Sequence, residues 1–286
     1  MKIQRVEGLD NKEIVVKHKY HFKSPPNLPP INFLCGICGP RGSGKSNVIC
    51  NINQFYKGCF NSIHLVCPNY SNEQKLKQEF PANEHTFIYT DPSDDTAVEI
   101  RDYCREQVNI YKKYLKDLKQ FHDDIALYYK YLSDGIEELT DRELLRLEVL
   151  SYSFPIKPTC EYDYYPTALV ILDDCMNTDL FRKKSPFTNI QIRNRHLFMS
   201  IIVVSQSYKS ILRPIRQNIN WLITFKCNDK KLCQEIFEEA GSMFKDFEQF
   251  MDTLEYCTDK PFNFMYIDKT NNEVRKNFNE KVMLDD

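Results

Sequence analysis

Residues 39–46 read Gly39-Pro40-Arg41-Gly42-Ser43-Gly44-Lys45-Ser46, the spacing G-x-x-x-x-G-K-[ST]. An apolar run, residues 31–38 (INFLCGIC), precedes it. Val48, Ile49, Ile52, Phe55 and Tyr56 follow at steps of three and four, the period of an amphipathic helix. Buried strand, glycine-rich turn and helix in this order make a phosphate-binding loop, the P-loop. Backbone N–H groups of such a loop point inward at one phosphate, and the helix adds its positive end. The chain has only eight glycines in 286 residues, and Gly36, Gly39, Gly42 and Gly44 fall within nine positions. Three of them belong to the loop; Gly36, in the preceding strand, is expected to serve close packing.

The loop assigns roles by position. Gly39, Arg41, Gly42, Ser43, Gly44, Lys45, Ser46 and Asn47 are candidates for holding a nucleotide such as ATP. Lys45 would reach the β- and γ-phosphates, and the Ser46 hydroxyl would ligate Mg²⁺. A carboxylate for that metal is expected at the end of another buried strand. Residues 168–172 (ALVIL) end in Asp173-Asp174. Asp173 would hold the metal, and Asp174 would polarise the attacking water. Residues 198–204 (FMSIIVV) end in Ser205-Gln206-Ser207, and Gln206 would sense the γ-phosphate and orient water. His196, just before that strand, reads as a structural or surface residue.

Further runs extend the same pattern. Residues 62–67, 86–89, 221–225 and 262–267 read as strands, and 229–257 as two amphipathic helices parted at Ala240-Gly241. Alternating strands and helices predict an α/β fold with a central, mainly parallel sheet. Residues 96–150 differ: one glycine, no proline and a helical period through Val98, Val108, Leu115 and Ile125. They predict one or two long helices, broken near Ser133-Asp134-Gly135, as an α-helical insertion. The organisation expected is an entry segment (1–30) with a short strand at Ile14–Val16, a first part of the ATPase domain (31–95), the insertion (96–150), and a second part (151–286).

Hydrophobic content of 42% and charged content of 27% exclude a largely disordered chain. Eleven scattered cysteines, many in apolar runs, fit reduced buried thiols in a reducing compartment. Cys35-x-x-Cys38 lies inside the first strand, so buried thiols are expected there rather than a metal or redox pair. No signal peptide and no transmembrane segment is expected.

Net charge is −2, but it is unevenly distributed. Residues 180–216 carry eight basic residues and no acid, leaving −10 for the remainder. Such a stretch suits contact with a polyanion or an arginine aimed at a neighbouring subunit's nucleotide. Arg182, Lys183 and Lys184 are the DNA-contact candidates. Arg193 and Arg195 are the candidates for a trans-acting arginine finger, with Arg216 in reserve.

Taken together, GPRGSGKS, ALVILDD, IRNRH and FMSIIVVSQS resemble the DNA-packaging ATPases of nucleocytoplasmic large DNA viruses, the poxvirus-type branch of the FtsK–HerA superfamily. The resemblance spans about residues 31–226 apart from the insertion. It implies an ASCE-type sheet, in which the Gln206 strand separates the P-loop strand from the Asp173 strand. It implies ATP hydrolysis with Mg²⁺ by a ring-shaped homo-oligomer, a pentamer or hexamer, that drives double-stranded DNA into a capsid. Capsid vertex proteins become candidate partners. The host cytoplasm, where virus factories form, becomes the expected location, with the virion as a second. Two features depart from the pattern: Asp174 stands where many such enzymes have glutamate, and 128 residues separate Lys45 from Asp173. Two other readings stay open. One is a P-loop kinase for a small substrate, with the insertion as a lid. The other is a nucleotide-dependent, non-hydrolysing assembly scaffold.

Overall fold

The computed structural model describes residues 24–284 except Asn177, Lys183 and Lys184. The expected strand at Ile14–Val16 lies outside the described residues. Nine strands form one sheet: β1 (Leu34–Cys38), β2 (Ser62–Val66), β3 (Thr86–Tyr89), β4 (Ala168–Asp173), β5 (Met199–Ser205), β6 (Trp221–Phe225), β7 (Phe264–Asp268), β8 (Glu273–Lys276) and β9 (Glu280–Val282). Their order across the sheet is β3-β2-β4-β5-β1-β6-β7-β8-β9. The first six strands run parallel, and β7, β8 and β9 are added antiparallel. β5 lies between β1 and β4, so the chain has the ASCE arrangement of a P-loop fold.

The parallel strands are near-continuous apolar runs because both faces of the sheet are covered. Helices α1 (Lys45–Phe55) and α2 (Gln74–Glu79) pack on one face. There Val48, Ile49, Ile52 and Leu76 meet Ile37, Leu65, Ile171, Val204 and Trp221. The other face carries α3 (Asp94–Asp134), α5 (Pro186–Ile192), α7 (Lys230–Ala240) and α8 (Phe247–Cys257). Ala97, Ile100, Phe187, Ile190, Ile236 and Phe250 meet Val170, Leu172, Ile201 and Val203 there. Gly36 sits where a Cβ would come within 2.8 Å of Ile219 Cδ1, the close packing expected of it. Cys35 and Cys38, three apart in β1, face opposite sides of the sheet and join different cores, so they cannot form a dithiol. Burial pushes the Cys38 thiol up to about 12.

The long helical region begins inside the domain. Ser93 caps α3, its hydroxyl accepting from the Thr96 amide. Ala97, Ile100, Cys104, Val108 and Tyr111 are then buried on the sheet. Tyr111 donates to the Asp163 carbonyl and packs on Tyr165, which stacks on Phe198 just before β5. There α3 has reached the amino edge of the sheet. At 1.5 Å per residue its 41 residues span about 60 Å, so the remainder extends past that edge. Helix α4 (Asp141–Tyr152) starts from a Thr140–Glu143 capping box and folds back on it. Arg146 clasps Asp124 through two hydrogen bonds, of 2.7 and 2.5 Å. The expected insertion is thus a crossover helix that runs on into a helical arm. The arm leaves from the edge opposite the P-loop, so it does not cover that loop.

Candidate active site

The site lies at the carboxyl edge of the parallel strands. The Gly39 amide donates to the Ser205 carbonyl at 3.1 Å, tying the start of the P-loop to the end of β5. A Cβ at Gly39 would lie 2.7 Å from Phe225 Cδ2 and 2.8 Å from Ser43 Oγ, so only glycine lets the loop pass this close to β6. The Ser43 amide donates to the Pro40 carbonyl at 3.3 Å, which tightens the turn. Gly44 takes φ +108°, a left-handed conformation open to glycine, as the last residue before α1. No side chain caps α1 and no acid lies in its first turn. Its leading N–H groups therefore have no competing side-chain acceptor.

Two observations test whether these residues fit a polyphosphate. The Ser43 hydroxyl is buried without a hydrogen-bond partner, which carries a desolvation cost that a bound acceptor would relieve. Lys45 Nζ donates to the carbonyls of Gly39 at 2.8 Å and Pro40 at 2.9 Å. Its ammonium thus stands over the loop interior. Burial lowers the Lys45 pKa, and Asp173 and then Asp174 oppose that effect. Both features fit a bound polyanion. The Ser46 hydroxyl and the Asp173 carboxylate are oxygen donors of the kind a hard cation such as Mg²⁺ takes.

Asp173 ends β4 and is only 9% exposed. Its carboxyl is pushed up to about 6, mainly by burial and then by Glu73 and Asp174, with Lys45 acting against them. Cys67 Sγ lies 3.9 Å from its Oδ2. Asp174 is exposed, takes φ +55°, and accepts from Asn69 Nδ2 at 3.2 Å. Left-handed backbone at this position turns its carboxylate out of the strand. Gln206 is exposed at the end of β5, where Ser205 Oγ donates to the Ser207 carbonyl and accepts from the Ser207 amide. It lines a cavity of about 260 Å³ with Gly39, Pro40, Tyr208, Phe225 and Lys226. The P-loop, Asp173, Asp174 and Gln206 are therefore all at one edge. Asn47 accepts from Lys75 Nζ at 2.7 Å. Arg41 is exposed on the loop.

Sequence reading missed Glu73, Asn69, Lys75 and Lys226. Glu73 and Asn69 sit in the segment after β2, which lies beside β4 in the sheet. Their signal was positional: polar residues following a buried strand, at the edge where such sheets bind ligands.

The basic stretch divides between two edges. Arg193 closes α5, and Arg195 lies in the turn before β5, both exposed at the amino edge. β1 and β5 are parallel with Leu34 opposite Ile201 and Cys38 opposite Ser205. The two arginines are thus a strand length from their own P-loop and cannot meet a nucleotide bound there. Arg193 and His196 line a cleft of about 760 Å³ with Arg101, Arg105 and Lys112 of α3. Arg101 and Arg105 share Asp102, whereas Arg193 and Lys112 make no ion pair among the described residues.

At the carboxyl edge the charge is largely committed. Arg182 pairs with Asp179 at 2.5 Å, and Lys209 with Glu235. Lys183 and Lys184 lie outside the described residues. Arg216, the arginine expected in reserve, is partnered inside the chain. Its guanidinium holds Glu239 at 2.9 and 3.0 Å, donates to the carbonyls of Ile211 and Lys209, and covers the Tyr208 ring. Most of its N–H donors are thereby engaged within the chain.

No family model and no curated protein matches the chain. Solved structures do resemble it. B204, the DNA-packaging ATPase from Sulfolobus Turreted Icosahedral Virus, matches with 14% identity over 85% of this chain and 95% of that one, TM-score 0.46. The genome packaging NTPase B204 from Sulfolobus turreted icosahedral virus 2, in complex with AMPPCP, matches with 13% identity over 86% and 97%, TM-score 0.49. The pCW3 conjugation coupling protein TcpA matches with 15% identity over 82% and 56%, TM-score 0.43. The likeness is one of fold.

Proposed function

We propose that this chain is an ATP-hydrolysing translocase of double-stranded DNA, the motor of a viral genome-packaging machine. The observation that carries the hydrolytic part is the shared edge. Strand order brings the Lys45 loop, the Asp173-Asp174 pair and Gln206 to one edge of the sheet, at the carboxyl ends of three neighbouring strands. Lys45 neutralises charge on the β- and γ-phosphates. Ser46 and Asp173 would hold Mg²⁺, which when bound offsets phosphate charge and orients the leaving oxygen. Gln206 positions a water, and Asp174 takes its proton as the water oxygen bonds to the γ-phosphorus. The bond to the β–γ bridging oxygen breaks, and its electron pair leaves with ADP.

Arg193 and Arg195 cannot serve their own site, so they act on a neighbour's nucleotide in a ring of identical subunits. The cleft around Arg193 gives that contact a positive field from Arg101, Arg105 and Lys112. The DNA substrate, capsid vertex partners, and a location in the host cytoplasm and virion follow from the sequence resemblance. A small-substrate kinase would have to work without the insertion as its lid, because the helical arm does not cover the P-loop.

The test is ATP turnover with and without duplex DNA, for the wild type and Lys45→Ala. Turnover should rise with DNA and vanish in the variant. Turnover indifferent to DNA would overturn the translocase reading. Tight ATP binding with negligible turnover would favour the scaffold.

A further inference from the structure

We propose that Phe262 is the stacking platform for the purine of the bound nucleotide. The inference rests on the nucleotide reading above and assigns the part of the site that the phosphate chemistry leaves open.

β1 has β5 on one side and β6 on the other. The groups that would meet the terminal phosphate, Asp173 and Gln206, end β4 and follow β5. A triphosphate lying in the loop with that end toward β4 and β5 directs its sugar and base the other way, over β6 and β7. β7 pairs antiparallel with β6, Phe264 opposite Phe225. The turn entering β7 therefore lies at the same edge as the P-loop, and Phe262 is in that turn.

Its ring borders the loop directly. A Cβ built on Gly44 would lie 3.3 Å from Phe262 Cδ1 and 3.6 Å from Phe262 Cβ. Yet the residue is 63% exposed, so core packing does not account for it. Phe262 also takes φ +71°, a left-handed conformation that a bulky residue rarely adopts.

The turn is held on both sides. The Asn263 amide donates to the Lys260 carbonyl at 3.2 Å, and Asn263 Nδ2 donates to Asp259 at 3.0 Å. Asn277 Nδ2 donates to Asn263 Oδ1 at 3.1 Å, and the Phe264 amide to Asn277 Oδ1 at 3.2 Å. A pinned turn that keeps an aromatic ring in water beside a phosphate loop offers a flat apolar face to a flat ligand. Stacking tolerates any base with a large π-face, so ATP and GTP are expected to bind with similar affinity.

The experiment is displacement of a fluorescent ATP analogue by ATP, GTP and inorganic tripolyphosphate, on the full chain with Mg²⁺. Phe262→Ala should weaken ATP and GTP by about tenfold and leave tripolyphosphate unchanged. Phe262→Trp should keep ATP affinity, and its fluorescence should be quenched by ATP but not by tripolyphosphate. The native tryptophan, Trp221, is fully buried and gives a steady background. Unchanged ATP affinity in Phe262→Ala, or equal weakening of ATP and tripolyphosphate, would overturn the platform while leaving the nucleotide reading intact. A wild-type chain that binds neither ATP nor tripolyphosphate would overturn both.

Discussion

The amide of Gly39 donates to the carbonyl of Ser205 across 3.1 Å, joining the first residue of the P-loop to the residue before Gln206. One backbone bond thus fixes the glutamine relative to the phosphate loop. The ordering cost of that geometry is met in folding, before any ligand arrives.

Gln206→Ala should therefore lose turnover while keeping nucleotide affinity. A group that orients the reacting water contributes about 10²-fold or more. ATP turnover and ATP binding by calorimetry, measured side by side, check this. Equal losses in both would make Gln206 a binding residue instead.

Asp173 makes a pH prediction with a definite sign. Burial, then Glu73 and Asp174, hold its carboxyl up at about 6, so the folded chain keeps this proton more tightly than the unfolded one. Stability from this group is then present at low pH and lost as pH rises through about 6. A shift of about two pH units corresponds to about 3 kcal/mol. Asp173→Asn should melt above the wild type at neutral pH, have little advantage near pH 4, and lose metal-dependent turnover. In the wild type, affinity for Mg²⁺ should fall below about pH 6, as protons compete for the Asp173 carboxyl. Glu73→Gln removes a charge that raises this pKa, so its acid limb should move to lower pH. An unmoved limb would separate Glu73 from the metal site.

Residues differ in how plainly the sequence announces them. Leu169–Leu172 and Ile201–Val204 are legible because strands covered on both faces must be apolar throughout. Asp173 and Gln206 follow from them, one and two residues past a recognisable run. Helix α3 is legible by period, but not that its first five turns belong to the sheet and the rest to an arm. Tyr111, Tyr165 and Phe198 make that boundary, and they come from three segments. Strand β8 (Glu273–Lys276) has no apolar run, because pairing with β7 and not composition makes it a strand. Arg216 looked like any exposed arginine until Glu239, in another helix, came to meet it.

That pair supports a stability prediction. Arg216 is 14% exposed and Glu239 24%. Removing the arginine takes the donor from two carbonyls and leaves the Glu239 carboxylate only the Tyr208 hydroxyl. Arg216→Ala should destabilise the fold by about 2 kcal/mol, since partial solvation reduces the larger cost of a fully buried break. Denaturant unfolding checks it. An unchanged midpoint with lost turnover would make Arg216 a functional rather than a structural residue.

The arm should open separately from the sheet. Asp124 is 3% exposed, and the Arg146 guanidinium holds its carboxyl below the usual carboxylate range. Arg146→Ala leaves Asp124 only the Gln120 amide as a side-chain donor, at a cost of about 1 kcal/mol because the guanidinium is 41% exposed. The loss should appear in hydrogen exchange across residues 112–152 while the strands stay protected. Uniform deprotection would mean that arm and sheet unfold as one unit.

The trans assignment yields the most selective test. Arg193 sits at the amino edge and Lys45 at the carboxyl edge of the same sheet, so each bound nucleotide would draw on two subunits. Lys45→Ala keeps its arginine but has no working P-loop. Arg193→Ala keeps its P-loop but gives its neighbour no arginine. Each alone should be inactive, the second by about 10³-fold or more if the arginine acts as a finger. Mixed and allowed to co-assemble, they should recover part of the wild-type rate, because an Arg193→Ala site can receive the arginine of a Lys45→Ala neighbour. Arg195→Ala in the same mixture tells which arginine is used: the one whose loss is complemented by Lys45→Ala is the finger. Inactive single variants that stay inactive when co-assembled would place both residues in one subunit's site, against the strand register that separates them.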